Sequence, residues 1–261
     1  MDNSPPELIA LILCAEDKPR NQSLEYDLME LGIDYEIVTG STPTVARKHY
    51  EKHFDSRLSY SVMSDEQLAG TYGHHLMFKR AKVLGATNTI FFEDDCVIDL
   101  QGFKNLIRDI DFYPKGVLLL GACGGFTRRK KYTSGETFWG QGVGDTVAGA
   151  HCYILEKNLL DSMIEYSRHL QMLADSFCRP PDIKLFVSKT YVTWQMKEVK
   201  SFIPLGQSIQ SKNPIRQFAS SLKDDVFDRI NFGIWGGRTL RLSFLERFAC
   251  LFFTKLPGCK D

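Results

Sequence analysis

Seven consecutive apolar residues, Leu8-Ile9-Ala10-Leu11-Ile12-Leu13-Cys14, precede the polar stretch Glu16-Asp17-Lys18-Pro19-Arg20. A run that is apolar at every position, not at every second one, predicts a strand covered on both faces. Leu24, Leu28 and Leu31 then fall at helical spacing, and Gly32 is placed to stop the helix. Tyr35-Glu36-Ile37-Val38 predicts a second strand. The result is a βαβ opening of about 30 residues. It contains no G-x-G-x-x-G, which disfavours a plain dinucleotide-binding fold.

Further along, Ser64-x-x-Gln67 has the form of a capping box and predicts a helix to about Leu84, with Gly85 as its stop. Thr89-Ile90-Phe91-Phe92 and Val117-Leu118-Leu119-Leu120 predict buried strands. Between Gly121 and Gly149 lie eight glycines with Arg128-Arg129-Lys130-Lys131 and Trp139, a composition for mobile hairpins or a lid and not for a helix. His151-Cys152-Tyr153-Ile154-Leu155 predicts a strand, and Leu159, Leu160, Met163 and Ile164 a helix after it. Beyond Pro180-Pro181-Asp182, Ile183-Lys184-Leu185-Phe186 is expected as one or two helical turns, and Tyr191-Val192-Thr193-Trp194 as a last strand.

Composition narrows the function classes. The 261 residues are 43% hydrophobic, enough for a real core, and 32 basic side chains balance 32 acidic ones. That balance argues against a nucleic-acid binder. Seven scattered cysteines, none in a C-x-x-C pair, suit a reducing compartment. The first apolar run is too short to span a bilayer and has no basic residue before it, so neither a signal peptide nor a transmembrane helix is expected.

Candidate chemistry centres on Glu93-Asp94-Asp95, which closes the Thr89 strand. Ligands of open α/β sheets collect beyond strand carboxyl ends, and adjacent carboxylates there repel, so unless one is protonated they call for a cation such as Mg²⁺ or Mn²⁺. Strand alternation would put Glu93 and Asp95 on one face and Asp94 on the other. A plain acidic turn or helix cap is the competing explanation.

The stretch Gln67 to Ala81, carrying His74, Phe78 and Ala81, followed by Phe92-Glu93-Asp94-Asp95, resembles glycosyltransferase family 25, the lipopolysaccharide and lipooligosaccharide glycosyltransferases related to collagen galactosyltransferases. Gly149-Ala150-His151-Cys152-Tyr153-Ile154, Pro181-Asp182 and Pro204-Leu205-Gly206-Gln207-Ser208 are similar to later family segments, so the resemblance spans roughly residues 8 to 212. It departs at Gln67, Ala69, Gly70 and Gly73, where the family usually has Glu, Gly, Cys and Ser.

What the resemblance implies is an α/β, glycosyltransferase A-type (Rossmann-like) single domain with a mixed central sheet over residues 1–212, and a C-terminal helical extension over 213–261. It implies a metal-dependent hexosyltransferase, with inverting transfer of galactose from UDP-galactose to a lipopolysaccharide or related surface glycan as the first expectation. Asp95, with Glu93, is then the expected ligand of Mn²⁺ or Mg²⁺. Arg20, His74, Glu93, Asp94 and His151 are expected around the nucleotide sugar. Asp182 is the expected catalytic base, with Asp145 in reserve. Taken as residues alone, Arg20 could equally be a solvated surface group, His74 a packed helical histidine, His151 a core hydrogen-bonding group and Asp182 a helix cap.

Arg238 to Phe253 is rich in Arg, Leu and Phe. The stretch 238–256 is compatible with a basic amphipathic helix lying on the inner face of the cytoplasmic membrane, and equally with a helix packed on the core. From other classes, a nucleotide- or glycan-binding protein without catalysis and a metal-dependent phosphohydrolase also fit clustered carboxylates. The chain has no second carboxylate or His cluster of the kind a two-metal hydrolase needs.

Overall fold

A computed structural model describes residues 7–15, 19–53, 64–108, 110, 113–121, 126–134, 137–142, 147, 149–168, 179–180, 182–188, 191–196 and 253–255. The chain opens with β1 (Leu8–Cys14), α1 (Ser23–Glu30), β2 (Tyr35–Thr39), α2 (Pro43–His53), α3 (Asp65–Leu84) and β3 (Asn88–Glu93). Next come β4 (Cys96–Ile98), α4 (Leu100–Arg108), β5 (Val117–Leu119), β6 (Phe126–Ser134), β7 (Thr137–Gly142) and β8 (Cys152–Glu156). A 3₁₀ turn, Lys157–Leu159, leads into α5 (Leu160–Arg168), followed by β9 (Leu185–Ser188), β10 (Thr193–Gln195) and β11 (Phe253–Lys255).

Nine strands form one sheet in the order β11-β6-β7-β9-β5-β8-β3-β1-β2. In it β2, β1 and β3 are parallel, β8 runs against both β3 and β5, and β5 is parallel to β9. The α/β class and mixed central sheet of a glycosyltransferase A-type domain are both present. One sheet face carries Ile12, Ile90, Phe92, Leu118 and Ile154 under Leu24 and Leu28 of α1 and Phe103 and Leu106 of α4. The other carries Leu11, Phe91, Leu119 and Tyr153 under Met77 and Phe78 of α3 and Leu160 and Met163 of α5. Burial on both faces explains why β1 and β3 are apolar without alternation.

Local signals hold where they were strong. Ser64 accepts from the Gln67 amide and the Gln67 side chain accepts from the Ser64 amide, closing the capping box, and Gly85 ends α3 in the left-handed conformation. Gln67 thereby supplies the acceptor that a glutamate would, without its charge.

Two expectations are corrected. Residues 183–186, expected as helical turns, lead into β9, because Leu185-Phe186-Val187-Ser188 is fully buried and pairs with β5 on one side and β7 on the other. Within the C-terminal stretch expected to be helical, Phe253–Lys255 is a strand paired antiparallel to β6. The remainder of 238–256 lies outside the described residues. The glycine-rich segment does form a hairpin, β6–β7, but β7 is held in the main sheet by β9 and Trp139 is fully buried against Tyr113. Among the described residues no helix is long and apolar enough to cross a membrane.

Gly116 has φ +152°, and a Cβ there would run into the Lys184 carbonyl, whereas Gly32, at φ +68°, has open space around it. Gly116→Ala is therefore expected to cost about 2 kcal/mol or more, since it must push β5 off β9, and Gly32→Ala only about 1 kcal/mol. Urea denaturation of the two variants checks the order; equal losses would mean that the β5–β9 approach is not tight.

Candidate active site at the carboxyl edge of the sheet

β3 ends at Glu93, and Asp94-Asp95 form the turn that leads into β4. The alternation expected along the strand thus stops at Glu93. Instead of Glu93 and Asp95 sharing partners, Asp94 and Asp95 do. Arg20 Nη2 lies 2.6 Å from Asp94 Oδ1 and 3.0 Å from Asp95 Oδ2, and Arg20 Nε donates to Asp94 Oδ1 at 2.8 Å.

Asn21, a residue that sequence reasoning passed over, explains why the two loops meet. Its amide donates to the Asp94 carbonyl (2.7 Å) and its Nδ2 to the Cys96 carbonyl (2.6 Å), while Ser23 donates to its Oδ1 through both N and Oγ. On the far side, the Met196 amide donates to the Asp95 carbonyl at 2.9 Å. The turn is strapped from both sides. A buried Asn just before a helix was the available signal, but its partners are about 75 residues away and periodicity does not report them.

Glu93 belongs to a second group. Its Oε1 faces His74 Nε2 at 3.4 Å, and its Oε2 accepts from Gln195 Nε2 at 3.0 Å. His74 Nδ1 lies 2.8 Å from the Tyr153 hydroxyl. The ring is thus held from both ends, between the Tyr153 hydroxyl and the Glu93 carboxylate. His75, its neighbour, bonds Ser167 Oγ at 2.9 Å and ties α3 to α5 instead of facing the site.

His151 is brought to Glu93 by the reversed strand. Its carbonyl accepts from the Glu93 amide at 2.9 Å, and its ring is buried with no hydrogen-bond partner at either nitrogen among the described residues. Asp95 Oδ1 and Thr193 Oγ1 are likewise buried and unpartnered. Gly121 makes room: a Cβ there would meet His151 Nε2 at 2.6 Å and run into the Thr193 carbonyl.

The charges divide accordingly. Burial raises the Glu93 carboxyl, but the His74 hydrogen bond and charge, with His151 and Arg20, outweigh it and hold the group below its ordinary value. Asp95 is pushed up to about 6 by burial and then by Glu93, against the pull of Arg20. Burial lowers His151, although Glu93 and the Thr193 backbone oppose it. Cys14 is driven up to about 12 by burial and by Asp94, and Cys96 well up by burial and by Cys152, so these free thiols pack and are not nucleophiles.

The expected site residues are therefore brought together in all but one case. Arg20, His74, Glu93, Asp94, Asp95 and His151 converge on this edge. Asp182 does not. It is exposed and lies three residues before β9, which runs parallel to β5 and in the same direction as β3, so it belongs to the opposite edge of the sheet. That removes it as the base for chemistry at Asp95. Asp145 lies outside the described residues, as do the side chains of Arg128–Lys131, whose backbone is in β6. Glu93, the second expected metal ligand, has one contact at each oxygen, to His74 and to Gln195. No three His, Cys, Asp or Glu among the described residues converge to hold a metal ion.

The chain is thus an α/β protein with a polar, carboxylate-rich cluster at the carboxyl edge of a mixed sheet. No protein-family profile matches the chain, and no curated protein matches it. Among solved structures, it is similar to mannose-1-phosphate geranyltransferase from Thermus thermophilus, at 10% identity over 69% of this chain and 74% of that one, TM-score 0.40. It is similar to HddC from Yersinia pseudotuberculosis complexed with GMP-PN, at 14% identity over 71% and 92%, TM-score 0.35. A protein from STIV shares 12% identity over 69% and 81%, TM-score 0.34.

A raised Asp95 predicts a specific pH dependence. Between about pH 4 and pH 6 the native carboxyl holds a proton that the unfolded one has lost, so the contribution of Asp95 to stability falls as pH rises through this window. Relative to Asp95→Asn, the wild type is expected to lose up to roughly 3 kcal/mol between about pH 4 and pH 7 in urea denaturation. A gap that stays constant would show that the carboxyl is not held in this environment.

Proposed function

We propose that the protein is a metal-dependent glycosyltransferase of the family 25 type, moving a hexose from a nucleoside diphosphate sugar to a surface glycan or glycolipid. UDP-galactose, transferred with inversion, is the first donor to test, and a lipopolysaccharide-type acceptor met at the cytoplasmic membrane face is the first acceptor. One observation carries the reading: Asp95 Oδ1 is buried, without a hydrogen-bond partner among the described residues, and set beside Arg20 at the sheet's carboxyl edge.

The donor set fits a hard cation held mostly by its substrate. Mn²⁺ or Mg²⁺ bound through one carboxylate, with phosphate oxygens and water completing the shell, is the usual arrangement for diphosphate chemistry. Asp95 Oδ1 is the oxygen that would hold it, and the cation would neutralise charge growing on the departing diphosphate. Arg20, which holds Asp94 and Asp95, would offer its guanidinium to the same diphosphate. A neutral His151 offers one ring nitrogen as donor and one as acceptor to a sugar hydroxyl or phosphate oxygen. Glu93 fixes His74 and Gln195 and so shapes the wall of the site.

A second reading is favoured by the place of Asp182. With the expected base at the far edge, a nucleotide-sugar binding protein without catalysis would keep the same pocket chemistry.

Thermal shift with a panel of UDP-sugars, with and without Mn²⁺, is expected to show stabilisation by both together, since a ligand bound only by the native state raises its stability. Release of UDP from the same donor separates enzyme from binder. Asp95→Ala is expected to lower UDP release by about 100-fold or more. Full metal-dependent turnover in that variant would place the cation elsewhere, and binding without any UDP release would favour the second reading.

A further inference from the structure

Arg20 stands where a cation would have to come. Its Nη2 and Nε hold Asp94 Oδ1 at 2.6 and 2.8 Å, and Nη2 reaches Asp95 Oδ2 at 3.0 Å. Asp95 Oδ1 has no hydrogen-bond partner among the described residues, while Glu93 contacts His74 and Gln195. A hard cation seeking about six oxygens finds too few here, and it meets the repulsion of a guanidinium bonded to the same carboxylate.

A diphosphate changes both conditions at once. It brings the missing oxygens, and it gives the guanidinium another anion of suitable geometry. The exchange needs no loop movement, because Asn21, next in the chain, stays bonded to the Asp94 and Cys96 carbonyls. Only the Arg20 side chain must turn.

We infer that Arg20 is an internal counter-ion, which neutralises the Asp94-Asp95 pair in the empty site and releases Asp95 to a divalent cation when a nucleoside diphosphate receives its guanidinium. The inference rests on the proposed function, since it takes Asp95 as the cation's ligand. It makes the binding of cation and diphosphate positively coupled, each tightening the other by the same factor. Arg20 sets that factor. The side chain is a charge-compensating group, and its effect is read in the binding of Mn²⁺ and UDP.

Mn²⁺ binding to the full chain can be followed directly by the paramagnetic resonance signal of the free ion, with and without UDP. Wild type is expected to bind Mn²⁺ weakly alone and at least about tenfold more tightly with saturating UDP. Arg20→Gln, which removes the charge, is expected to bind Mn²⁺ alone at least about tenfold more tightly than wild type, with its UDP coupling reduced to about threefold or less. Its melting temperature should fall in the absence of metal and recover with Mn²⁺.

Arg20→Lys keeps a charge but lacks the planar fork of the guanidinium, so it is expected to lie between the two; it carries the test if the Gln variant does not fold. Should both variants bind Mn²⁺ alone no more tightly than wild type, while Asp95→Asn abolishes binding with UDP, the counter-ion role is overturned and the cation site stands. If Asp95→Asn leaves binding with UDP intact, the cation is not at Asp95 and the inference is overturned, whereas the absence of any UDP-dependent Mn²⁺ binding in wild type would overturn the functional reading.

Discussion

Two neighbouring carboxylates, Asp94 and Asp95, are each less than a tenth exposed at the end of a buried strand. Charge in such a place has to be compensated, because neither water nor the apolar sheet can do it. Arg20 supplies the compensation, and the chain is arranged to deliver it. The loop after β1 is held to the turn after β3 by Asn21, so the guanidinium arrives with its backbone already anchored. Compensation is nevertheless incomplete. Asp95 is still pushed up to about 6, by burial first and Glu93 second, and keeps one oxygen without a partner.

The reversed strand β8 does the second part of the assembly. Had it run parallel to β3, its first residues would lie at the amino edge of the sheet. Running against it, β8 sets His151 beside Glu93 and turns Tyr153 to the face covered by α3. Tyr153 stacks on Phe91 with ring centroids 4.9 Å apart and offers its hydroxyl to His74, which in turn faces Glu93. One side chain thus joins core packing to the polar site. The aromatic body is buried with the apolar cluster, while the hydroxyl satisfies a histidine that would otherwise be stranded.

Much of the scaffold was legible because its signals are local. β1 and β3 are apolar at every position, and α3 has a capping box at one end and a left-handed glycine at the other. β9 was not legible. Four residues of mixed character after two prolines do not distinguish a helical turn from a strand, and pairing with β5 and β7 decided the matter. The same ambiguity misled the choice of base. Asp182 is persuasive beside Pro181, but its place depends on the direction of β9, which no residue near it encodes. The division of the triplet failed for a related reason: alternation applies to a strand, and the strand ends at Glu93.

The amino-acid sequence by itself therefore determined the βαβ opening, the helix bearing His74, and the presence of three carboxylates at a strand end. These depend on propensities and spacings within a dozen or so neighbours. Tertiary structure alone decided that Arg20 pairs with Asp94 and Asp95, that Glu93 serves His74 and Gln195, that His151 joins the site and that Asp182 leaves it. Each of those outcomes turns on strand order and direction in the sheet. Partners separated by 19 to 102 positions meet there through the burial of both sheet faces, and the local pattern of any one segment carries no record of it.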